Sequence, residues 1–356
     1  MLTYWLLFLV PAWMALSESS RTQSVRSRYW GAQWVLAWVL LTCIVGWRHD
    51  VGGDWLNYLG HYEEALDTPL PLAFAKDDPG YHLLLWAVTR GDWGVYCVNL
   101  FSAAVFSAGL IAFCRQQPRP WLALTVAIPY TVIVLGMGYT RQGVALGFAL
   151  LGLVSLKQGR LLPFVAWVAL GATFHKSAVL LVPLAVLATP RNRLWTVVWV
   201  GLSAFALYKG LLADSVDRLV TNYIDAGYQS EGAAIRVMMN VVPAALLLWW
   251  RKRFHWTVPE RNLWTMLSVL ALLSVAWLMA SPSSTAVDRV ALYLIPLQMY
   301  VFSRLPELLS RRGDERMWVG VIVTYYAAVE AVWLFFATHA FAWLPYQFYP
   351  WIWLWE

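Results

Sequence analysis

The sequence predicts an all-α polytopic membrane protein with about twelve transmembrane helices. Three observations carry that prediction. Of 356 residues, 60% are hydrophobic and 13% charged, which excludes an ordinary soluble domain. The apolar residues fall in runs of roughly 14–24, long enough to cross or nearly cross a bilayer. Many of the 24 Trp and 17 Tyr stand at the ends of those runs, as interfacial belts do.

Taken in order, the expected spans are 2–17, 29–46, 93–113, 119–137, 143–156, 161–174, 177–188, 194–212, 237–250, 262–280, 289–303 and 317–338. The first has no basic leader and no small-residue cleavage pattern, so it reads as a span. The stretch 161–188 carries a break at Phe174-His175-Lys176-Ser177. Basic residues flank it at Lys157 and Arg160 and again at Arg191 and Arg193, so the chain is expected to turn at the histidine. On this scheme one face holds 17 Lys/Arg against 5 Asp/Glu, and the other 9 against 15. The positive-inside rule puts the first face in the cytoplasm and both termini outside it. The basic residues at 21–28, 191–193, 251–253 and 311–316 then need no task beyond topology. Residues 1–356 read as one transmembrane domain with two long outer loops, 47–92 and 213–236. Both loops are acidic and aromatic: Trp55, Tyr58, Tyr62 and Tyr81 in the first, Asp214, Asp217, Tyr223, Asp225, Tyr228 and Glu231 in the second. Rings stack on sugar faces and carboxylates accept from hydroxyls, although solvated loops with anchoring aromatics look the same in composition. Cys43, Cys97 and Cys114 show no CxxC spacing, so no disulfide framework or zinc site is expected. The net charge of +6 is distributed for topology, and no nucleic-acid partner is expected.

Polar residues interrupt the apolar pattern mainly at the outer face. Burying an ionised group near the bilayer is costly, so each needs a partner or a task. The first group is Arg48, Asp50, Asp54, Asn57 and Tyr58 around Gly52-Gly53. A glycine turn there would bring Arg48 and Asp54 back to the membrane surface, where an arginine fork suits phosphate. Asp54 could act as a general base or hold that arginine. Arg141 and Gln142 open a helix whose Gly143 and Gly147 permit close packing and whose amide end favours phosphate. His175 titrates near neutrality and can take a proton from a hydroxyl, while neighbouring Lys176 can neutralise phosphate. Arg236 with Asn240, and Asp288-Arg289 with Tyr293, place a charge at a span entrance and a polar group four residues on, along the same helix face. Glu330 lies inside the last span with no partner visible in the sequence.

These positions resemble a family. Arg48-x-x-Val51-Gly52-x-Asp54-x-x-Asn57-Tyr58, Asp78-Pro79-Gly80-Tyr81, Arg141-Gln142, Phe174-His175-Lys176-Ser177-Ala178 and Asp288-Arg289 are similar in order and context to the motif series of the EpsG family. Those are Wzy-like exopolysaccharide and O-antigen polymerases of the bacterial inner membrane. The resemblance covers roughly residues 30–305, and Asp78 stands where Glu is as common, a change that keeps a carboxylate. It implies a fold related to the C-class membrane glycosyltransferases. The activity implied moves a growing glycan from undecaprenyl diphosphate onto a lipid-linked repeat at the periplasmic face. A polysaccharide copolymerase is the implied partner, besides the undecaprenyl-diphosphate-linked oligosaccharide and membrane lipid. No nucleotide-binding motif is present, and neither a cofactor nor a metal is expected. The expected base is His175 first and Asp54 second. Arg48, Asp50, Asn57, Tyr58, Asp78, Tyr81, Arg141, Gln142, Lys176, Arg236, Asn240, Asp288 and Arg289 are the expected substrate contacts. A lipid-linked oligosaccharide flippase or other transporter and a sugar acyltransferase are the rival activities. A transporter should carry polar groups at several depths, and an acyltransferase needs a path for its donor from the cytoplasm.

The orientation is open to a direct test. In a background without Cys43, Cys97 and Cys114, cysteines placed at Asp67 and Ser230 should react with an impermeant thiol reagent in cells whose outer membrane alone is permeabilised. Labelling only after the inner membrane is lysed would reverse the topology.

Overall fold

Proline, glycine and charge divide the apolar chain into helices. The computed structural model describes residues 1–18, 31–184, 193–207, 230, 232–310 and 313–354. Among the described residues the chain opens with the α-helices α1 (Leu2–Ser17), α2 (Ala32–Gly46), α3 (Trp55–Asp67), α4 (Leu70–Ala75), α5 (Pro79–Arg90), α6 (Val95–Cys114), α7 (Pro120–Ala127), α8 (Thr140–Lys157) and α9 (Leu161–Phe174). Among the described residues, four helices are long and apolar enough to cross a membrane: α6, Ala233–Trp250, Val258–Ala280 and Glu315–Phe336. Shorter apolar helices accompany them at Leu2–Ser17, Ala32–Gly46, Pro120–Gly136, Leu161–Phe174 and Val197–Ala206. The protein is an all-α, membrane-embedded bundle.

Local chemistry sets several boundaries. Thr257 and Glu260 form a reciprocal capping box that starts the Val258–Ala280 helix. α7 begins at Pro120 and passes into a π-helical segment, Ile128–Gly136. Such wide turns are rare and gather at functional sites. The expected span at 289–303 is a broken one: Ser284–Ala291, a 3₁₀ turn over Leu292–Leu294, then Pro296–Phe302. The break at His175 falls where the sequence places it, with α9 ending at Phe174 and a 3₁₀ turn running over Lys176–Leu181.

Residues 47–92 form a helical cap instead of an irregular loop. α3 and α4 both pack on α5, and α5 also packs on α6 and α9. Tyr58, Tyr81, Leu85 and Val88 of the cap share one apolar cluster with Val98, Val144 and Phe174 of the bundle. Most of the second expected loop, 213–229 and 231, lies outside the described residues, as do 19–30, 185–192 and 311–312.

The C-terminal segment straps the same end. Arg48–His49 pairs antiparallel with Gln347–Phe348, and Tyr349 N donates to Trp47 O at 2.8 Å. Trp343 donates through Nε1 to Ile133 O at 2.9 Å, and the Trp343 carbonyl accepts from Tyr4 Oη at 2.6 Å. The N-terminus of α1 is thereby placed at the end that carries the cap. At the opposite end, Arg119 pairs with Glu315, Arg304 donates to Gln117 Oε1 at 2.7 Å, and Lys157 donates to Gln116 O at 3.0 Å.

α6 and α8 cross with almost no side-chain volume between them. A Cβ on Gly109 would lie 2.0 Å from Gly147 O, and one on Gly147 would lie 2.7 Å from Phe106 Cα. Gly147 therefore makes the close contact that its spacing suggests. Gly143 does not, since its Cβ would find ordinary contact with Leu135 at 3.6 Å. Gly147→Val should lower the melting temperature in detergent, with an overpacking cost of about 1–3 kcal/mol. Gly143→Ala should melt near wild type. Equal melting of the two variants would refute this reading of the crossing.

Candidate functional site

The site is assembled at the capped end around Asp78. This residue takes the left-handed backbone conformation, φ +55°, just before Pro79 starts α5. One carboxylate oxygen meets Arg141 Nη1 at 3.0 Å, and the other accepts from the Lys176 backbone N–H at 3.3 Å. The Lys176 ammonium pairs with neighbouring Asp77 at 2.6 Å. Gly80 permits the approach, because a Cβ there would lie 2.3 Å from Thr173 Oγ1 at the end of α9. Tyr81 lies beneath the Arg141 guanidinium, 5.8 Å from ring centroid to Cζ, and meets Tyr58 edge to face. The Tyr58 hydroxyl accepts from the Arg141 backbone N–H at 3.5 Å. Three separate sequence motifs thus converge on one carboxylate.

His175 occupies the other side of this cluster. Its Nδ1 is 2.6 Å from Ser177 Oγ, which donates to Tyr293 Oη at 3.2 Å, while Nε2 faces Arg289 Nη1 at 3.4 Å. A guanidinium cannot accept, so Nε2 is the acceptor and Nδ1 carries the proton towards Ser177. Burial, with Arg289, Arg141 and Lys176 nearby, holds the ring down at about 3 and therefore neutral. Asp54, the residue before α3, lies near the same two guanidinium groups, Arg289 and Arg141, which lower its carboxyl. Burial nevertheless raises its carboxyl above the ordinary value.

The chain belongs to the EpsG family. The family model matches residues 32–348, which adds the C-terminal strap to the 30–305 stretch of shared motifs. No curated protein and no solved structure matches the chain. Membership makes this a polysaccharide-polymerase-type membrane protein with glycosyltransferase-like activity.

Other family-motif residues do different work in the fold. Arg48 is 1% exposed and gives its guanidinium to Val51 O, Val45 O and Thr140 Oγ1 at 3.2, 2.6 and 2.7 Å. It staples the end of α2, the glycine turn and the start of α8, and it does not point to a ligand. Gly52, at φ +106°, brings that turn against Met137 O, 2.5 Å from where a Cβ would stand. Asp50 and Asn57 are exposed. Gln142 donates to Arg289 O at 2.8 Å and fixes the backbone that carries Arg289. Arg236 grips Asp288 with Nε and Nη2, each at 2.6 Å, and also meets Ser230. Asn240 donates to Ala291 O at 2.9 Å and accepts from Gln298 Nε2 at 2.8 Å; Tyr326 Oη donates to Gln298 Oε1 at 2.9 Å. Arg236 and Asn240 thus use one helix face to hold residues 288–298. Sequence reasoning missed Asp77, Thr140, Ser230 and Gln298, and it quoted Ser177 only as part of the motif around His175. Gln298, a polar residue inside an apolar run, is the one that carried a signal. Among the described residues no group of three His, Cys, Asp or Glu side chains converges as a metal site. Both Glu330 carboxylate oxygens are buried without a hydrogen-bond partner among the described residues.

Burial pushes the Asp78 carboxyl up to about 6 against the pull of Arg141 and Lys176. A raised folded value favours the fold at low pH, and that contribution is lost as pH rises from about 3.8 through about 6. The ion pair with Arg141 runs the other way and forms only as Asp78 ionises. Turnover should therefore decline as pH drops through about 6, with no parallel drop in melting temperature. Asp78→Asn should lower turnover at pH 8 and flatten that acid limb; an unchanged limb in the pH–rate profile would remove Asp78 as its source.

Proposed function

We propose that this EpsG-family protein polymerises lipid-linked sugar repeats at the periplasmic face of the bacterial inner membrane. It would move a growing glycan from undecaprenyl diphosphate onto a new carrier-linked repeat, with a polysaccharide copolymerase as partner. One observation carries the reading: Asp54 and His175, two candidate bases, lie beside the same two guanidinium groups, Arg141 and Arg289. A glycosyl transfer from a diphosphate is served by that pairing of a base with fixed cations. The base removes the proton from the acceptor hydroxyl, whose oxygen bonds to the anomeric carbon. The bond from that carbon to the diphosphate breaks, and the lipid diphosphate leaves with the electron pair. Arg141, Arg289 and Lys176 would offset the charge that grows on it, a part that a divalent cation can also play. Arg48 is left out of this cradle by its internal acceptors. Sequence reasoning ranks His175 before Asp54 as base. We rank Asp54 first in the unliganded protein, a reading supported by burial raising its carboxyl while burial and the nearby arginines hold the His175 ring low. Basicity near the working pH favours the carboxylate.

The test is a ladder of longer lipid-linked products, made by purified protein from a lipid-diphosphate-linked repeat. Asp54→Asn should slow polymerisation by about 10²–10⁴-fold while the substrate still binds, as expected for loss of a general base. His175→Ala should cost less than Asp54→Asn. Arg141→Ala should abolish product at normal protein abundance, and Arg141→Lys should recover little, because lysine lacks the planar fork. Full turnover in Arg141→Ala would remove that residue from the site, and the reverse ranking of Asp54→Asn and His175→Ala would return the base to His175.

A further inference from the structure

A large apolar cavity lies beside the polar site and is unused by the chemistry above. It has a volume of about 680 Å³ and runs between the Ala233–Trp250 and Glu315–Phe336 helices, with the π-helical segment at its back. Along the first helix its lining extends from Gly232 to Val242, about 15 Å at the helical rise. Its walls include Val242, Val329 and Phe336, and exposure of Val242 (39%) and Phe336 (80%) opens it sideways to the membrane.

Three residues of its lining carry donors. Tyr130 Oη and Trp333 Nε1 are buried with no hydrogen-bond partner among the described residues, and both residues line the cavity. Arg236 lines it too. Its Nε and Nη2 hold Asp288, while Nη1 lies toward Gly232, 3.3 Å from where a Cβ would stand. An indole N–H and a guanidinium can only donate, and a phenol donates readily. Leaving such groups unpaired in an apolar wall is costly, so the arrangement calls for an acceptor-rich, anionic head. The next step in the chain ties this place to the polar site: Asp288 holds Arg236, and Arg289 beside it faces His175 at 3.4 Å.

We infer that this cavity holds the isoprenyl tail of the lipid carrier, with its phosphate met by Arg236, Tyr130 and Trp333. The inference rests on the polymerase reading for the identity of the tail. The occupant lies along the apolar wall, enters from the membrane, and delivers its head within one residue of Arg289.

The test titrates undecaprenyl phosphate and phosphatidylglycerol separately onto the full-length protein in detergent and counts bound lipid by native mass spectrometry. Undecaprenyl phosphate should bind in preference. Ala328→Trp, which fills the cavity from its second helix, should weaken that binding at least tenfold, whereas Leu162→Trp on the outer surface of α9 should not. Tyr130→Phe removes only a hydroxyl and should weaken binding several-fold; it carries the test if the filled variant does not fold. Equal binding of the two lipids, or wild-type affinity in both Ala328→Trp and Tyr130→Phe, overturns the inference. The ladder assay separates this outcome from the parent reading. A protein that binds undecaprenyl phosphate through the cavity but builds no ladder refutes the polymerase and leaves the cavity assignment standing. A protein that builds the ladder while both variants bind as wild type refutes the cavity alone.

Discussion

One carboxylate holds the capped end together. Asp78 accepts from the Arg141 guanidinium and from the Lys176 backbone, so it joins the cap to α8 and to the turn after α9. The charge makes both hydrogen bonds stronger than neutral ones would be. Its left-handed backbone is a conformation that non-glycine residues rarely adopt and that costs of order 1–3 kcal/mol, so the surrounding contacts must enforce it. Gly80 lets α5 start against Thr173, and Tyr81 and Tyr58 wall the arginine. Without that carboxylate, Arg141 and Lys176 would have no common reference point, and the cap would keep to the bundle only through apolar packing and the separate links of Arg48 to Thr140, Tyr58 to the Arg141 backbone and Asp77 to Lys176.

Counting pairs changes what the site offers an anion. Four of the five cations gathered by the sequence stand near carboxylates: Arg141 by Asp78, Lys176 by Asp77, Arg236 by Asp288, and Arg289 close enough to Asp54 to lower its carboxyl, while Arg48 meets only carbonyls and a hydroxyl. These pairs are not equally firm. The Arg236–Asp288 fork is bidentate with both partners buried, which fixes its geometry. Arg141 holds Asp78 through one nitrogen and is 29% exposed, and Lys176 holds an Asp77 that is 44% exposed. Single-point pairs with one partner open to solvent fix their geometry less firmly than a buried fork. A phosphate entering from the capped end therefore competes with Asp77 and Asp78 for Lys176 and Arg141. It meets Arg236 only at the edge that Asp288 leaves open.

Much of this was legible in the sequence because membrane burial makes polar residues conspicuous. The break at His175 follows from two charged-type residues inside an apolar stretch, and the cap end follows from the sorting of charges. What stayed hidden was pairing. Arg48 and Arg141 look alike as sequence symbols, yet one is enclosed by carbonyls and the other faces a carboxylate. Direction of a side chain depends on tertiary contacts that no local period encodes. The α6–α8 crossing was half legible for the same reason: Gly147 stood in a recognisable spacing, but its partner Gly109 lies on another helix. The C-terminal strap carried no motif. Its role comes from pairing with Arg48–His49 and from Trp343, which are visible only once the ends meet.

The same arginines that would stabilise the leaving group also govern the base. Arg289 and Arg141 pull the Asp54 carboxyl downward against its burial and push the His175 ring below its ordinary value. Both effects weaken proton uptake in the empty site. On the proposed reading, a diphosphate seated on those guanidinium groups brings negative charge that cancels much of their field. Proton affinity at Asp54 and His175 then rises together, because a nearby anion favours the protonated form of each. The base becomes competent when the donor is in place and stays weak when it is absent. That coupling needs no moving part. It follows from setting two bases against one pair of cations, and it disfavours activation of water before the acceptor sugar can enter.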